Sequence, residues 1–100
     1  MGEIFRVAIH YDNDCGYIEY DPDKREIRVV LGNQDKRQAV EEFLAKPHMV
    51  WVPKHTLQDF EEVRLVAADN LESLKILLTH LWEHTKVLVD WSREVHTEGC

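Results

Sequence analysis

Two histidines and a glutamate near the end of the chain are the residues with the clearest capacity for chemistry. His80, Glu83 and His84 form the pattern His-x-x-Glu-His. Residues four apart on an α-helix share a face, so two imidazoles at this spacing can bind one zinc ion. The glutamate beside them could then act as a general base toward a zinc-bound water molecule. The chemistry indicated by this pattern is metal-assisted hydrolysis.

The pattern resembles the motif of the inverted zinc peptidases. The resemblance covers five residues, and it implies that His80 and His84 bind zinc while Glu83 acts as the base. Those peptidases are much larger proteins, and they contribute a further acidic ligand from a separate helix. In this chain Asp90 and Glu94 follow the motif, but their spacing marks neither of them as that ligand.

The segment that carries the motif is predicted to be an amphipathic helix from Asp69 to about His84. Asp69 and Glu72 match a capping arrangement at its start. The same helical wheel places His80 and His84 on the border opposite the apolar stripe, near solvent. We therefore expect a surface histidine pair, with zinc binding by the pair as the alternative. The apolar stripe consists of Leu71, Leu74, Leu77, Leu78, Leu81 and Trp82.

The elements before this helix are predicted from alternating apolar residues, turn residues and prolines. Three strands at residues 4–11, 17–20 and 27–31 are joined by short turns, which predicts an antiparallel meander. A helix is expected from Asp35 to Ala45, because Asp35 and Gln38 fit a capping box and Pro47 forbids continuation.

Three further strands complete the predicted fold. Met49–Val52 lies between two prolines, which favours an edge strand or an ordered loop. Val63–Ala67 is nearly all apolar and is expected to be a central strand, and residues 87–89 form a last short strand. The element order is then βββ-α-(β)-β-α-β. It predicts one α+β domain over residues 1–100, a two-layer sandwich of two helices on one face of a mostly antiparallel or mixed sheet. The tail is polar from about residue 94.

Composition excludes several classes of protein. The net charge is −7, from 19 acidic and 12 basic residues. An excess of negative charge repels nucleic-acid phosphates, so we expect no nucleic-acid partner. We expect no membrane span, since no apolar run approaches the ~20 residues that one needs. Two cysteines, Cys15 and Cys100, do not make a disulfide scaffold, so we expect reduced thiols and a cytoplasmic location.

The sequence contains no convergent catalytic set, so we expect a non-enzymatic protein-interaction or assembly module, with a homodimer as one form. The candidate contact surface is formed by Met49, Trp51 and Ile76, apolar residues expected at an edge strand or on the polar side of a helix. The partner is then another protein or a second copy of the chain, and no cofactor is required.

Two alternatives remain open. One is a metal-binding protein or metal-dependent hydrolase that uses His80, Glu83 and His84, with His10 as a further candidate. Zinc would be its cofactor. The other is a small-ligand-binding module with a pocket between sheet and helices, lined by Tyr17, Tyr20 or Trp51.

Overall fold

The computed structural model describes residues 3–53 and 59–91 and shows an α+β fold in two layers. Six strands and three helices are formed within these ranges. In chain order they are β1 (Phe5–Tyr11), β2 (Asp14–Asp21), β3 (Glu26–Leu31), α1 (Gln34–Ala45), β4 (His48–Pro53), β5 (Phe60–Leu65), α2 (Leu71–Thr79), α3 (Leu81–Thr85) and β6 (Leu88–Asp90).

The larger sheet contains four strands in the order β3-β2-β1-β6. All of its pairings are antiparallel, so the predicted meander of the first three strands is confirmed. The short last strand returns to pair with β1, where Ile9 lies opposite Val89. The strand β3 forms one edge of this sheet.

The core lies between one face of this sheet and the helices. Alternate residues of the strands point into it, as the period of two predicts. The helices contribute their apolar stripes. In the predicted leucine stripe Leu74, Leu77, Leu78 and Leu81 are buried and Leu71 is partly buried, whereas Trp82 is 48% exposed, so the prediction is wrong for Trp82. The most deeply buried side chains are Ile9, Ile18, Tyr20, Val40, Leu74, Leu77, Leu81 and Val87.

Asparagines cap the two longer helices, in place of the aspartates that the sequence patterns predicted. The side chain of Asn33 accepts a hydrogen bond from the amide of Lys36, at 3.0 Å. The side chain of Asn70 accepts one from the amide of Ser73, at 2.8 Å. Asp69 therefore lies one residue before the cap of its helix. An asparagine binds free amides as well as aspartate does, and the backbone geometry decides which residue occupies the cap.

The predicted single helix to His84 is divided into α2 and α3 at His80. The His80 amide donates to Leu77 O at 3.0 Å, three residues back, which tightens the last turn of α2. The Thr79 hydroxyl donates to Ile76 O at 2.6 Å and so competes for the carbonyls of the same turn. The helix α3 ends at Thr85 and is followed by the cap residue Lys86, whose φ of 65° is left-handed.

The strands β4 and β5 form a separate two-stranded antiparallel sheet. The expectation that Val63–Ala67 is a central strand is therefore wrong. One face of this hairpin packs on the core through Val50, Val52 and Val63, while the other face is exposed. A short apolar run predicts a strand but does not distinguish a central strand from a hairpin strand with one covered face.

Cys15 lies in β2 and is disulfide-bonded. The expectation of a reduced thiol is therefore wrong for this residue, and the second cysteine of the sequence, Cys100, lies outside the described residues. None of the described helices combines the length and apolar character needed to cross a bilayer.

Candidate functional site

An open cleft lies beside β4, where this strand faces the end of α1 and the junction of α2 with α3. Its volume is about 290 Å³, close to the lower limit of typical ligand pockets. We call it the histidine cleft, because three imidazoles line it. Its lining residues are Phe43, His48, Met49, Val50, Trp51, Leu77, His80 and His84.

The ring of Phe43 brings two of these histidines together. Its centroid lies 4.3 Å from that of His48 and 4.8 Å from that of His84. The two imidazole centroids are 5.8 Å apart. The Nε2 of His48 lies 2.7 Å from Phe43 O. A carbonyl oxygen accepts only, so this contact assigns the proton to Nε2 and leaves Nδ1 with a lone pair in the neutral ring.

The three residues of the His-x-x-Glu-His motif are spread over a helix junction. His80 Nδ1 lies 3.9 Å from the Glu83 carboxylate, whose side chain is 69% exposed and does not line the cleft. His84 is exposed and packs against the Phe43 ring. His10 lies on the face of the sheet turned away from the core, next to Leu88. Within residues 3–53 and 59–91, no group of three potential ligands converges on a metal position.

His48 is the cleft residue that sequence reasoning missed. It follows Pro47 at the start of β4 and belongs to no motif with the other histidines. His48 and His84 both pack on the ring of Phe43 in α1, a helix that contacts α3, and no local pattern predicts this arrangement.

The exposed face of the β4–β5 hairpin carries three of the seven large apolar side chains that are exposed among the described residues. We call it the outer hairpin face; it consists of Met49, Trp51 and Pro53 on β4 and of Phe60, Glu62 and Arg64 on β5. Trp51 is 67% exposed, and Met49 and Phe60 are each 56% exposed. Met49 lies opposite Arg64, Trp51 opposite Glu62 and Pro53 opposite Phe60. Met49 and Trp51 had been predicted as contact residues, whereas Phe60 had not, because it lies between the predicted strands Met49–Val52 and Val63–Ala67.

The remaining predicted site residues lie in or against packed structure. Ile76 is half-buried against the core, so it offers less free surface than its helical position suggests. Tyr20 is buried and its hydroxyl donates to Ala68 O at 3.1 Å. Tyr17 is also buried, so of the three aromatic residues proposed for a ligand pocket Trp51 alone lines the histidine cleft.

The chain matches no family model, no curated protein and no solved structure.

Proposed function

We propose that this protein is a non-enzymatic assembly module that self-associates through the outer hairpin face. The observation that carries the proposal is the row of large apolar side chains, Met49, Trp51 and Phe60, each more than half exposed on one face of one hairpin. Scattered exposed apolar residues are normal, but a contiguous group with a polar border is typical of a contact surface. Tryptophan is also among the residues that contribute most to interface stability.

The charges on this face favour a second copy of the chain as the partner. Glu62 and Arg64 lie two residues apart on β5, so they point to the same side, and neither forms an ion pair with another described residue. A two-fold axis crossing both strands midway between them would place each Glu62 against the other copy's Arg64. The same axis would place Trp51 on the other copy's Met49, a favourable sulfur–aromatic contact.

The net charge of the chain bears on the class of the partner. The chain carries a net charge of −7, which disfavours nucleic acid as a partner. A second copy is compatible with this charge because the outer hairpin face itself carries one charge of each sign. The cytoplasmic location remains a prediction.

Sedimentation equilibrium of the whole chain, over a range of concentrations, tests the proposal. We expect a monomer–dimer equilibrium for the wild type. Trp51→Ser should raise the dimer Kd by about 30-fold, since truncation of a central interface tryptophan costs about 2 kcal/mol. Trp82→Ser is the matched control, because Trp82 is also exposed but lies on α3. It should leave the equilibrium unchanged.

The charge pair provides a sharper test of the geometry. Glu62→Arg alone and Arg64→Glu alone should each raise the dimer Kd, because like charges would then face each other twice in the symmetric dimer. The double exchange, Glu62→Arg with Arg64→Glu, should restore the Kd to within about threefold of the wild-type value, as expected for an intact pair of modest strength. A wild type that stays monomeric at every concentration rejects the assembly function.

A second candidate function is the binding of a transition-metal ion such as zinc in the histidine cleft. It is favoured by the 5.8 Å between the His48 and His84 rings and by the lone pair on His48 Nδ1. Titration calorimetry with zinc on protein without a histidine tag tests it. His48→Ala should abolish zinc binding, while His80→Ala should preserve it. If His80→Ala abolishes binding and His48→Ala preserves it, the metal is held by His80 and His84 instead. If the wild type binds no zinc, neither histidine pair is a metal site.

A further inference from the structure

The face of the four-stranded sheet that is turned away from the helices holds two side chains that are almost fully buried. Ala8 on β1 is 5% exposed and Tyr17 on β2 is 7% exposed, and the two lie opposite each other. Neither belongs to the hydrophobic core, which takes Val7 and Ile18 from the other face of the same two strands. We call this surface the far sheet face; it consists of Ala8, His10, Cys15, Tyr17, Val30 and Leu88.

The burial of Tyr17 requires a cover on the far sheet face. Its neighbours across the sheet are the small Ala8 on one side and the partly buried Val30 on the other. Such neighbours shield the flanks of a tyrosine ring and leave open the side that points away from the sheet. The described helices and the β4–β5 hairpin place their core residues against the opposite face, so their apolar side chains do not provide the cover.

Cys15 supplies a second, independent observation on the same surface. It lies two residues before Tyr17 on β2, so the two side chains share a face. Cys15 is disulfide-bonded, and the sequence contains one other cysteine, Cys100. A disulfide within this chain therefore has Cys100 as its second member.

The path from β6 to Cys15 crosses the two buried residues. The strand β6 ends at Asp90, which lies opposite Ala8, and Ala8 lies opposite Tyr17. Two strand spacings and two residues along β2 separate Asp90 from Cys15, a distance of about 12 Å between Cα atoms. Residues 92–100 are long enough to cross it, since nine residues span up to about 30 Å when extended.

We propose that residues 92–100 cover the far sheet face and that a disulfide between Cys15 and Cys100 holds them there. The bond makes the cover sensitive to redox conditions. A dithiol reductant passes two electrons and two protons to the S–S bond, so that two thiols form and the dithiol closes into its own disulfide. The covering segment then loses its covalent attachment to β2.

The composition of the segment predicts that reduction uncovers the face. Val95 is the one large apolar residue within residues 92–100, so little apolar burial holds the segment in place without the bond. Its release exposes Ala8 and Tyr17 beside Leu88, which is already 43% exposed. The far sheet face is then an apolar interaction surface that is closed in the oxidised protein and open in the reduced one.

Peptide mapping of the whole chain without a reductant tests the bond. Free thiols are first blocked under denaturing conditions, and the chain is then cleaved with trypsin after lysine and arginine. We expect residues 7–24 joined to residues 94–100, and separation of the two peptides on reduction. A blocking group on Cys15, or residues 7–24 joined to a second copy of themselves, overturns the proposal.

NMR spectroscopy of the oxidised and reduced protein tests the cover. In the oxidised protein the Tyr17 ring should show nuclear Overhauser contacts with residues 92–99. A soluble gadolinium chelate should relax the Tyr17 ring protons as weakly as those of Tyr20, which is 1% exposed on the core side. Reduction should remove the contacts and raise the Tyr17 relaxation several-fold, while Tyr20 stays protected because the core remains folded. Absence of the contacts before reduction, or their persistence after it, overturns the proposal.

Variants separate the disulfide from other effects of the reductant. Cys100→Ser should reproduce the reduced protein without any reductant, with Tyr17 exposed and Tyr20 protected. Thr97→Ser is the matched control in the same segment; it keeps both cysteines and should protect Tyr17 as the wild type does. Trp51→Ser should also leave Tyr17 protected, because the outer hairpin face lies on the other sheet, so failure of self-association and failure of the cover are distinguishable. Full protection of Tyr17 in Cys100→Ser rejects the role of the disulfide.

Discussion

At the scale of the residue, Gly16 shows how closely β2 and β3 approach each other. It lies opposite Leu31 in the sheet, and a Cβ at this position would stand 1.8 Å from the carbonyl oxygen of Val30. That oxygen belongs to the backbone of the neighbouring strand, so it cannot move without displacing β3. The position therefore accepts no side chain in the present pairing.

Gly16→Ala should accordingly lower the free energy of unfolding by at least about 1–3 kcal/mol, the usual cost of overpacking. Gly32→Ala is the matched control, because its Cβ would meet only the side chain of Asp14, which can rotate away. Urea unfolding monitored by circular dichroism measures both variants. Equal midpoints for the two variants would show that β3 yields to the added methyl group.

At the scale of the element, the helix caps decide where the helices begin. The amide of Ser73 donates to Asn70, while Asp69 lies outside the helix and is exposed. The capping residue predicted from the sequence, Asp69, and the capping residue in the structure, Asn70, are one position apart. Capping energetics can distinguish the two.

Asn70→Ala should lower the free energy of unfolding by about 1 kcal/mol, because an amide of the first turn of α2 loses its acceptor. Asp69→Ala should change it by less than about 0.5 kcal/mol, as is usual for a surface position without such a role. Thermal and urea unfolding of the two variants, side by side, provide the measurement. If Asp69→Ala lowers the free energy of unfolding more than Asn70→Ala does, the capping residue is Asp69, as the sequence pattern predicted.

At the scale of the whole molecule, the two sheets differ in how much of their surface is covered. The four-stranded sheet buries Ile9 and Ile18 almost completely. Val50 is the one buried residue of the β4–β5 hairpin among those described, and the outer face of the hairpin is exposed. A two-stranded hairpin is marginally stable alone, so it depends on its contact with the core.

Amide hydrogen exchange at low protein concentration should therefore show lower protection in the hairpin than in the sheet. The Val63 and Leu65 amides are expected to exchange through local opening, and the Ile9 and Ile18 amides through global unfolding. At high concentration self-association through the outer hairpin face should raise hairpin protection selectively, and Trp51→Ser should abolish that increase. Uniform protection at low concentration would show that the two sheets open as one unit.

The sequence by itself determined the features that depend on local periodicity. The meander, the helix that stops before Pro47 and the apolar stripe of the leucines around Leu74 and Leu78 all follow from spacing along the chain. Apolar residues that recur every two positions identify the apolar face of a strand, and those that recur every 3.6 positions identify that of a helix. The hydrophobic effect then buries that face. The class of the fold was predictable for this reason.

The tertiary structure alone decided which faces meet and which are left open. It separated β5 from the main sheet, divided the last long helix at His80 and brought His48 to the Phe43 ring beside His84. It also left Trp51 exposed on the hairpin. These outcomes depend on packing between elements distant in the chain, where many arrangements bury similar apolar area and shape complementarity selects one. The spacing of residues along the chain therefore does not predict which faces meet.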